Sequence, residues 1–306
     1  MNETALLINT ALASGTTLAL AALGLLVNER AGVLNLGAEG MMLVAAVAGF
    51  GAALATGHDL AGFAAAAGAG ALLAAVFGVL VIWLNTNQYA TGLAISLFGY
   101  GFSAFVGVAY VGRSLPTRQT WEWPLLGDIP FVGPALFRHH PMVYVAIVLA
   151  LAIAWFLYRS RAGLLLRAIG ENPEPAHALG YPVRWIRLAA VCFGGAMCGL
   201  AGAYVSLVTA PLWVEGLTAG RGWIALALTV FATWRPMRAL LGAYLFGGVT
   251  VLQLNLQAQG VEISSHLLTM LPYLATIVVL ALISRNAAFI RVNMPASLGK
   301  PFHPGT

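Results

Sequence analysis

Residues 60–112 read LAGFAAAAGAGALLAAVFGVLVIWLNTNQYATGLAISLFGYGFSAFVGVAYVG, fifty-three residues without one charged side chain. A helix needs about 20 apolar residues to cross roughly 30 Å of hydrocarbon, so this stretch has room for two crossings. Its densest polar cluster is Asn85-Thr86-Asn87-Gln88, where the turn between them is expected. Apolar residues occupy both parities of the run, whereas lipid-facing strands alternate. Backbone groups left open in lipid are costly, so each crossing has to be helical.

The same pattern extends outward. Thr4–Asn28, Met41–Gly57, Pro141–Tyr158, Leu188–Leu212, Ala239–Val261 and Leu267–Ser284 are further apolar runs, and Gly222–Trp234 is too short to cross comfortably. The expectation is an all-α polytopic membrane protein of about nine helices, eight to ten, with broken or re-entrant segments, in a single transmembrane domain over residues 1–306.

Composition excludes other classes. Of 306 residues, 60% are hydrophobic and 8% charged, against about 25% charged in soluble chains. A soluble enzyme, a disordered chain and a nucleic-acid binder are excluded despite the net charge of +5. The only lysine is Lys300, so no P-loop exists to reach nucleotide phosphates. Cys192 and Cys198 lie six residues apart in one apolar run; on a helix they face different sides, which argues against a disulfide or metal pair. His139 and His140 are adjacent and make a poor metal pair, so no metal site is expected.

Arginine sets the direction. Arg30, Arg159, Arg161, Arg167, Arg184, Arg187, Arg235, Arg238, Arg285, Arg291 and Lys300 fall on one side, and Arg113, Arg118, Arg138 and Arg221 on the other. The positive-inside rule makes the larger group cytoplasmic. The loop 159–187 and the tail 285–306 are then inside, with the loop 112–140 and the N-terminus outside. That outer loop carries Trp121 and Trp123, expected as interfacial anchors. The N-terminus shows no basic leader region.

Two segments interrupt the apolar pattern without leaving it. Asn28–Gly40 holds three glycines, two asparagines and two carboxylates; the second break runs from Pro211 through Glu215 and Gly220 to Gly222. Transport folds use discontinuous helices of this kind around a midplane site, and two related halves would each open with a helix and then break. Glu39 admits two readings. It caps a helix start or pairs with Arg30, or it serves the path or gate as a carboxylate at membrane depth. Asn35, Asn85, Gln88 and Asn255 are polar groups at the apolar runs, each either a helix–helix hydrogen bond or a ligand contact. With Glu39 they form the candidate substrate path. Gly70, Ala74 and Gly78, and Gly195, Gly199 and Ala203, are stripes of small residues suited to close helix packing.

The inner loop spells a short helix. Asn172 suits the N-cap, Pro173 the first helical position and Gly180 the stop. Glu174, Ala176, His177 and Ala178 are expected on its surface. So short a helix needs something to pack against, either a partner protein or the chain's own span ends.

Three segments resemble ABC-importer permeases for nucleosides and simple sugars, relatives of the branched-chain amino acid and ribose permeases. They are Glu29–Met42, Arg167–Pro173 and Gly220–Ala227, and the resemblance runs from about residue 10 to 285 in motif order. It implies a type II-like importer fold in a bacterial inner membrane. It implies ATPase subunits that use ATP and magnesium, with no cofactor in this chain, and an external substrate-binding protein. A second, homologous permease is implied as partner. The coupling helix then falls on Glu171, Asn172, Pro173, Glu174, Ala176, His177, Ala178 and Gly180, and the segment 28–40 lies along the path. A branched-chain amino acid permease, or an ion-driven secondary transporter, is the alternative; the latter normally carries buried carboxylate relays, which are absent here apart from Glu39.

Overall fold

The computed structural model describes residues 3–116, 121–122, 129–259 and 293–303, with scattered positions between 267 and 281. Within them the helices are α1 (Glu3–Arg30), α2 (Ala38–Thr56), α3 (Asp59–Ile82), α4 (Gln88–Gly107), α5 (Val132–Leu136), α6 (Pro141–Arg159), α7 (Arg161–Glu171), α8 (Pro173–Ala178), α9 (Val183–Tyr204), α10 (Arg221–Phe231) and α11 (Pro236–Ala258). A two-residue antiparallel pair, β1 (Trp121–Glu122) and β2 (Arg138–His139), sets Trp121 opposite His139.

Seven helices among the described residues are long and apolar enough to cross a membrane. The expected count of about nine is therefore not reached there. Gly222–Trp234 became the 11-residue α10, and the run Leu267–Ser284 lies largely outside the described residues. Trp123 lies outside them too, with residues 117–120 and 124–128 of the outer loop.

α1 forms the centre. Every residue from Gly15 to Val33 is buried, as expected of a helix apolar all round. α9, α10 and α11 pack around it, and α2 packs against α3, α4 and α9. α1 and α11 run antiparallel, with Gly15 against Ala243 and Tyr244 and Gly247 against Ala11. The two small-residue stripes meet: a Cβ on Gly70 would stand 2.2 Å from the Gly195 carbonyl oxygen, and one on Gly195 2.2 Å from Ala74. Any larger side chain would part α3 from α9. Cys198 in α9 is buried and Cys192 half-buried, both free.

The course of the chain is set by contacts at the two ends. Asn9 Nδ2 donates to the carbonyls of Pro134 and Arg138 at 2.8 and 3.0 Å, so α1 starts beside the 112–140 loop. It ends at Arg30, beside Gly170 and the tail. Residues 31–37 then turn back along α4, and α2 begins halfway up it, where a Cβ on Gly99 would stand 2.3 Å from Gly40 Cα. Gly99 is about 17 Å along α4 from Gln88 at about 1.5 Å per residue. The second break mirrors the first. α9, extended by a π-helical stretch over Val205–Thr209, runs toward the loop end, where Leu115 N–H meets the Pro211 carbonyl at 2.9 Å. Residues 211–220 double back, and α10 starts where α2 starts.

The turn from α10 to α11 carries two consecutive non-glycine residues in the left-handed region, Thr233 (φ 50°) and Trp234 (φ 54°). Such residues cost about 1–2 kcal/mol each. The turn is held by Trp234 Nε1 donating to Glu29 Oε2 at 2.5 Å and by Arg30 donating to the Trp234 carbonyl.

Candidate functional site

The two breaks meet at Glu39. It stands in the first turn of α2, fully buried. Oε1 accepts from Thr218 Oγ1 at 2.5 Å, from the Gly220 N–H at 2.8 Å and from Tyr100 Oη at 3.3 Å. Oε2 accepts from the Gly222 N–H at 2.6 Å. Gly220 and Gly222 bracket the start of α10, so the carboxylate sits at the positive end of that helix and receives its orphan donors. Gly216 (φ 67°), Ala219 (φ 49°) and Gly220 (φ 80°) curl the backbone into place. Gly222 is required by space: a Cβ there would stand 2.6 Å from Glu39 N and 2.7 Å from its Oε2.

Arg30 does not pair with Glu39. Its guanidinium donates to the carbonyls of Trp234 and Asn293 instead, because α1 carries it to the arginine-rich end while residues 31–37 carry Glu39 away from it. Around the first break, Asn35 Oδ1 accepts from Gly37 N–H at 2.9 Å and its Nδ2 faces Met41 Sδ at 3.4 Å. Gln88 Oε1 accepts from Leu34 N–H at 2.8 Å. These side chains fold the break. Asn85 (φ 52°) stands in the α3–α4 turn, where Asn87 caps α4. Asn255 bonds back to the Val251 carbonyl within α11. The structure thus gathers Asn35, Glu39 and Gln88 around one break and leaves Asn85 and Asn255 elsewhere.

A second site lies at the arginine-rich end. Asn172 Oδ1 accepts from Glu174 N–H at 3.1 Å, Pro173 opens α8, and Gly180 takes φ 85°, so this helix has the ends the sequence spells. The segment before it is not a loop. α7 fills Arg161–Glu171, capped by Ser160, whose Oγ accepts from Gly163 N–H at 2.9 Å. Its signal was present in Ser160 and in the spacing of Leu165, Leu166 and Ile169.

α8 rests partly on its own chain. Ala176 is buried with Ile169, Val183 and Phe302, which corrects its expected surface position. His177 stacks edge-on to Phe302 at 5.6 Å between ring centres. Ser297 Oγ donates to the Gly170 carbonyl at 2.7 Å and accepts from Arg187 at 2.9 Å, which ties the tail beneath α7. Glu171, Asn172, Glu174, His177, Ala178 and Gly180 are exposed and Pro173 half-buried. Beyond them Leu179 is 77% and Tyr181 44% exposed, an apolar face that the sequence reading missed because both follow the helix.

The sequence pattern of the family described as "Branched-chain amino acid transport system / permease component" matches residues 7–283. A Haloferax volcanii protein named as a glucose ABC transporter permease, TsgC13, is 41% identical over 97% of this chain and 97% of its own length. The nucleoside ABC transporter permease protein NupC of Lactococcus lactis is 32% identical over 92% of this chain and 93% of its own. The guanosine ABC transporter permease protein NupQ of Bacillus subtilis is 32% identical over 94% and 93%. No solved structure matches the chain.

Proposed function

Since this chain belongs to the permease-component family of branched-chain amino acid transport systems, and is a multi-pass permease of the ABC type, we propose that it conducts a small solute bearing a sugar ring, a simple sugar or a nucleoside. What supports the substrate class is the likeness over nearly the whole chain to permeases named for glucose, nucleosides and guanosine. In this reading the two breaks meet near the bilayer midplane and Glu39 is the fastener that holds them beside the path. Tyr100, 37% exposed and bonded to Glu39, marks the open side.

Energy comes from elsewhere. The chain has no nucleotide site of its own, and ATP and magnesium are bound by separate ATPase subunits. These dock on α7 and α8, where Ala178, Leu179 and Tyr181 offer an uncharged, apolar centre of the kind protein interfaces favour. The arginine-rich end is cytoplasmic, with the C-terminus, and the N-terminus is external. An external binding protein delivers the solute, and a second permease completes the path in the plasma membrane.

Reconstitution tests this. The chain, with the proteins that copurify with it, is placed in liposomes with the receptor, and uptake of labelled glucose, ribose and guanosine is measured. ATP-dependent, saturable uptake of at least one is expected. Uptake driven by a proton or sodium gradient without ATP, or ATP hydrolysis by this chain alone, would overturn the reading.

A further inference from the structure

Between the last turns of α1 and α6, α7 and the first turn of α11 lies a cavity of about 830 Å³. Arg30, Arg167, Arg235 and Arg238 line it, and Glu171 is the one carboxylate among its described lining residues. Four guanidiniums against one carboxylate in a concave site focus a positive potential. Arg30 is 7% exposed. It gives Nε and Nη2 to the Trp234 carbonyl at 3.2 and 3.0 Å and Nη1 to the Asn293 carbonyl at 3.1 Å. These acceptors are neutral and take three of its five N–H groups, while Tyr158 and Glu171 offset part of its charge and Arg167 opposes it; a buried cation so partly compensated is costly. Arg167 lies over the Tyr158 ring at 5.2 Å, and its Nε is buried without a hydrogen-bond partner. Stacking fixes the guanidinium plane and leaves its edge for an acceptor.

A backbone feature points the same way. The first turn of α11, Pro236 to Arg238, forms part of the cavity wall, and the side chain of its N-cap residue, Arg235, makes no capping bond. Its first internal bond is from Ala239 N–H to the Arg235 carbonyl at 3.0 Å. The start of a helix carries the positive end of its macrodipole.

We propose that this cavity binds a phosphate group, carried by an anionic phospholipid or by a small phosphorylated solute. Planar guanidinium forks match phosphate oxygens in pairs, and the α11 terminus adds the positive end of its dipole. The rim favours a lipid as source. Tyr158, Leu164 and Met237 are 44%, 60% and 40% exposed, and Trp155 on α6 and Leu241 on α11 continue the exposed apolar surface away from the arginines. Basic pockets between membrane helices hold lipid headgroups in this manner.

The test uses the full chain with its copurifying partners. Native mass spectrometry compares retention of phosphatidylglycerol with phosphatidylcholine, and thermal unfolding of delipidated protein is followed against inorganic phosphate. Wild type should retain phosphatidylglycerol selectively. Arg167→Gln with Arg238→Gln should weaken that retention at least tenfold, about 1.4 kcal/mol. Arg161→Gln, a basic residue of α7 outside the cavity, should retain the lipid as wild type does. If millimolar phosphate stabilises wild type and not the double variant, while the two lipids are retained alike, the soluble source is identified and the phosphate site stands. Arg167→Gln alone carries the comparison if the double variant does not assemble. Equal binding of lipid and phosphate to wild type and variant, or an equal loss in Arg161→Gln, would overturn the proposal.

Discussion

Replacing Glu39 by glutamine removes one acceptor atom and adds a donor where four donors already converge. With the new amide NH2 at the Oε2 position, the Gly222 N–H, now 2.6 Å from Oε2, faces a donor. With the amide reversed, the Thr218 and Tyr100 hydroxyls rotate to accept, and the Gly220 N–H, now 2.8 Å from Oε1, is the group left out. In either orientation one backbone N–H at this junction loses its acceptor, at about 1–3 kcal/mol. The remaining bonds lose their charge assistance, which roughly halves their strength. Together the second break should be held more weakly by about 3 kcal/mol, a factor of roughly 150 in its local opening equilibrium. Hydrogen exchange of the full chain in nanodiscs reads this directly. Peptides covering residues 216–224 should exchange about a hundredfold faster in Glu39→Gln, while peptides from the α3–α9 contact, residues 66–78, stay as in wild type. ATP-driven uptake should fall with the loss of protection. Unchanged protection across 216–224 would refute the claim that this carboxylate fastens the two breaks.

Two further outcomes are expected. Ala178→Arg places charge and bulk on the exposed side of α8 and should leave folding intact while weakening ATPase retention about thirtyfold, roughly 2 kcal/mol, whereas Ala176→Arg drives a guanidinium into the Ile169–Val183–Phe302 cluster and should unfold the platform; pull-down beside thermal unfolding separates them, and an Ala178→Arg protein that keeps its ATPase and transports would show the docking face to be misplaced. In a background without Cys192 and Cys198, cysteines at His58 and His177, both exposed and at opposite ends of the bundle, should react with an impermeant reagent from outside and only after lysis, respectively, and labelling of both in intact cells would overturn the orientation.

What the sequence determined by itself was whatever rests on short range. The charge-free run 60–112 could only be buried in lipid as helices, and its polar cluster at Asn85–Gln88 had to be the turn, because Asn87 caps a helix through residues two and three positions away. The same holds for α8, whose ends are written in Asn172, Pro173 and Gly180. The small-residue stripes announced close packing, although not that α3 and α9 were the helices to meet. The tertiary structure decided the rest. Glu39 was legible as an exceptional residue, but its partners lie 61 to 183 positions away, so no local pattern could choose between Arg30 and the start of α10. The choice fell to chain geometry. α1 is long enough to carry Arg30 to one end of the bundle, and residues 31–37 return Glu39 halfway along α4, where it meets the orphan donors of the second break. Ala176 turned inward for a like reason: whether a small helix shows or hides a given face depends on what lies beneath it, and here that is Phe302, brought back by the tail from 126 positions further along the chain.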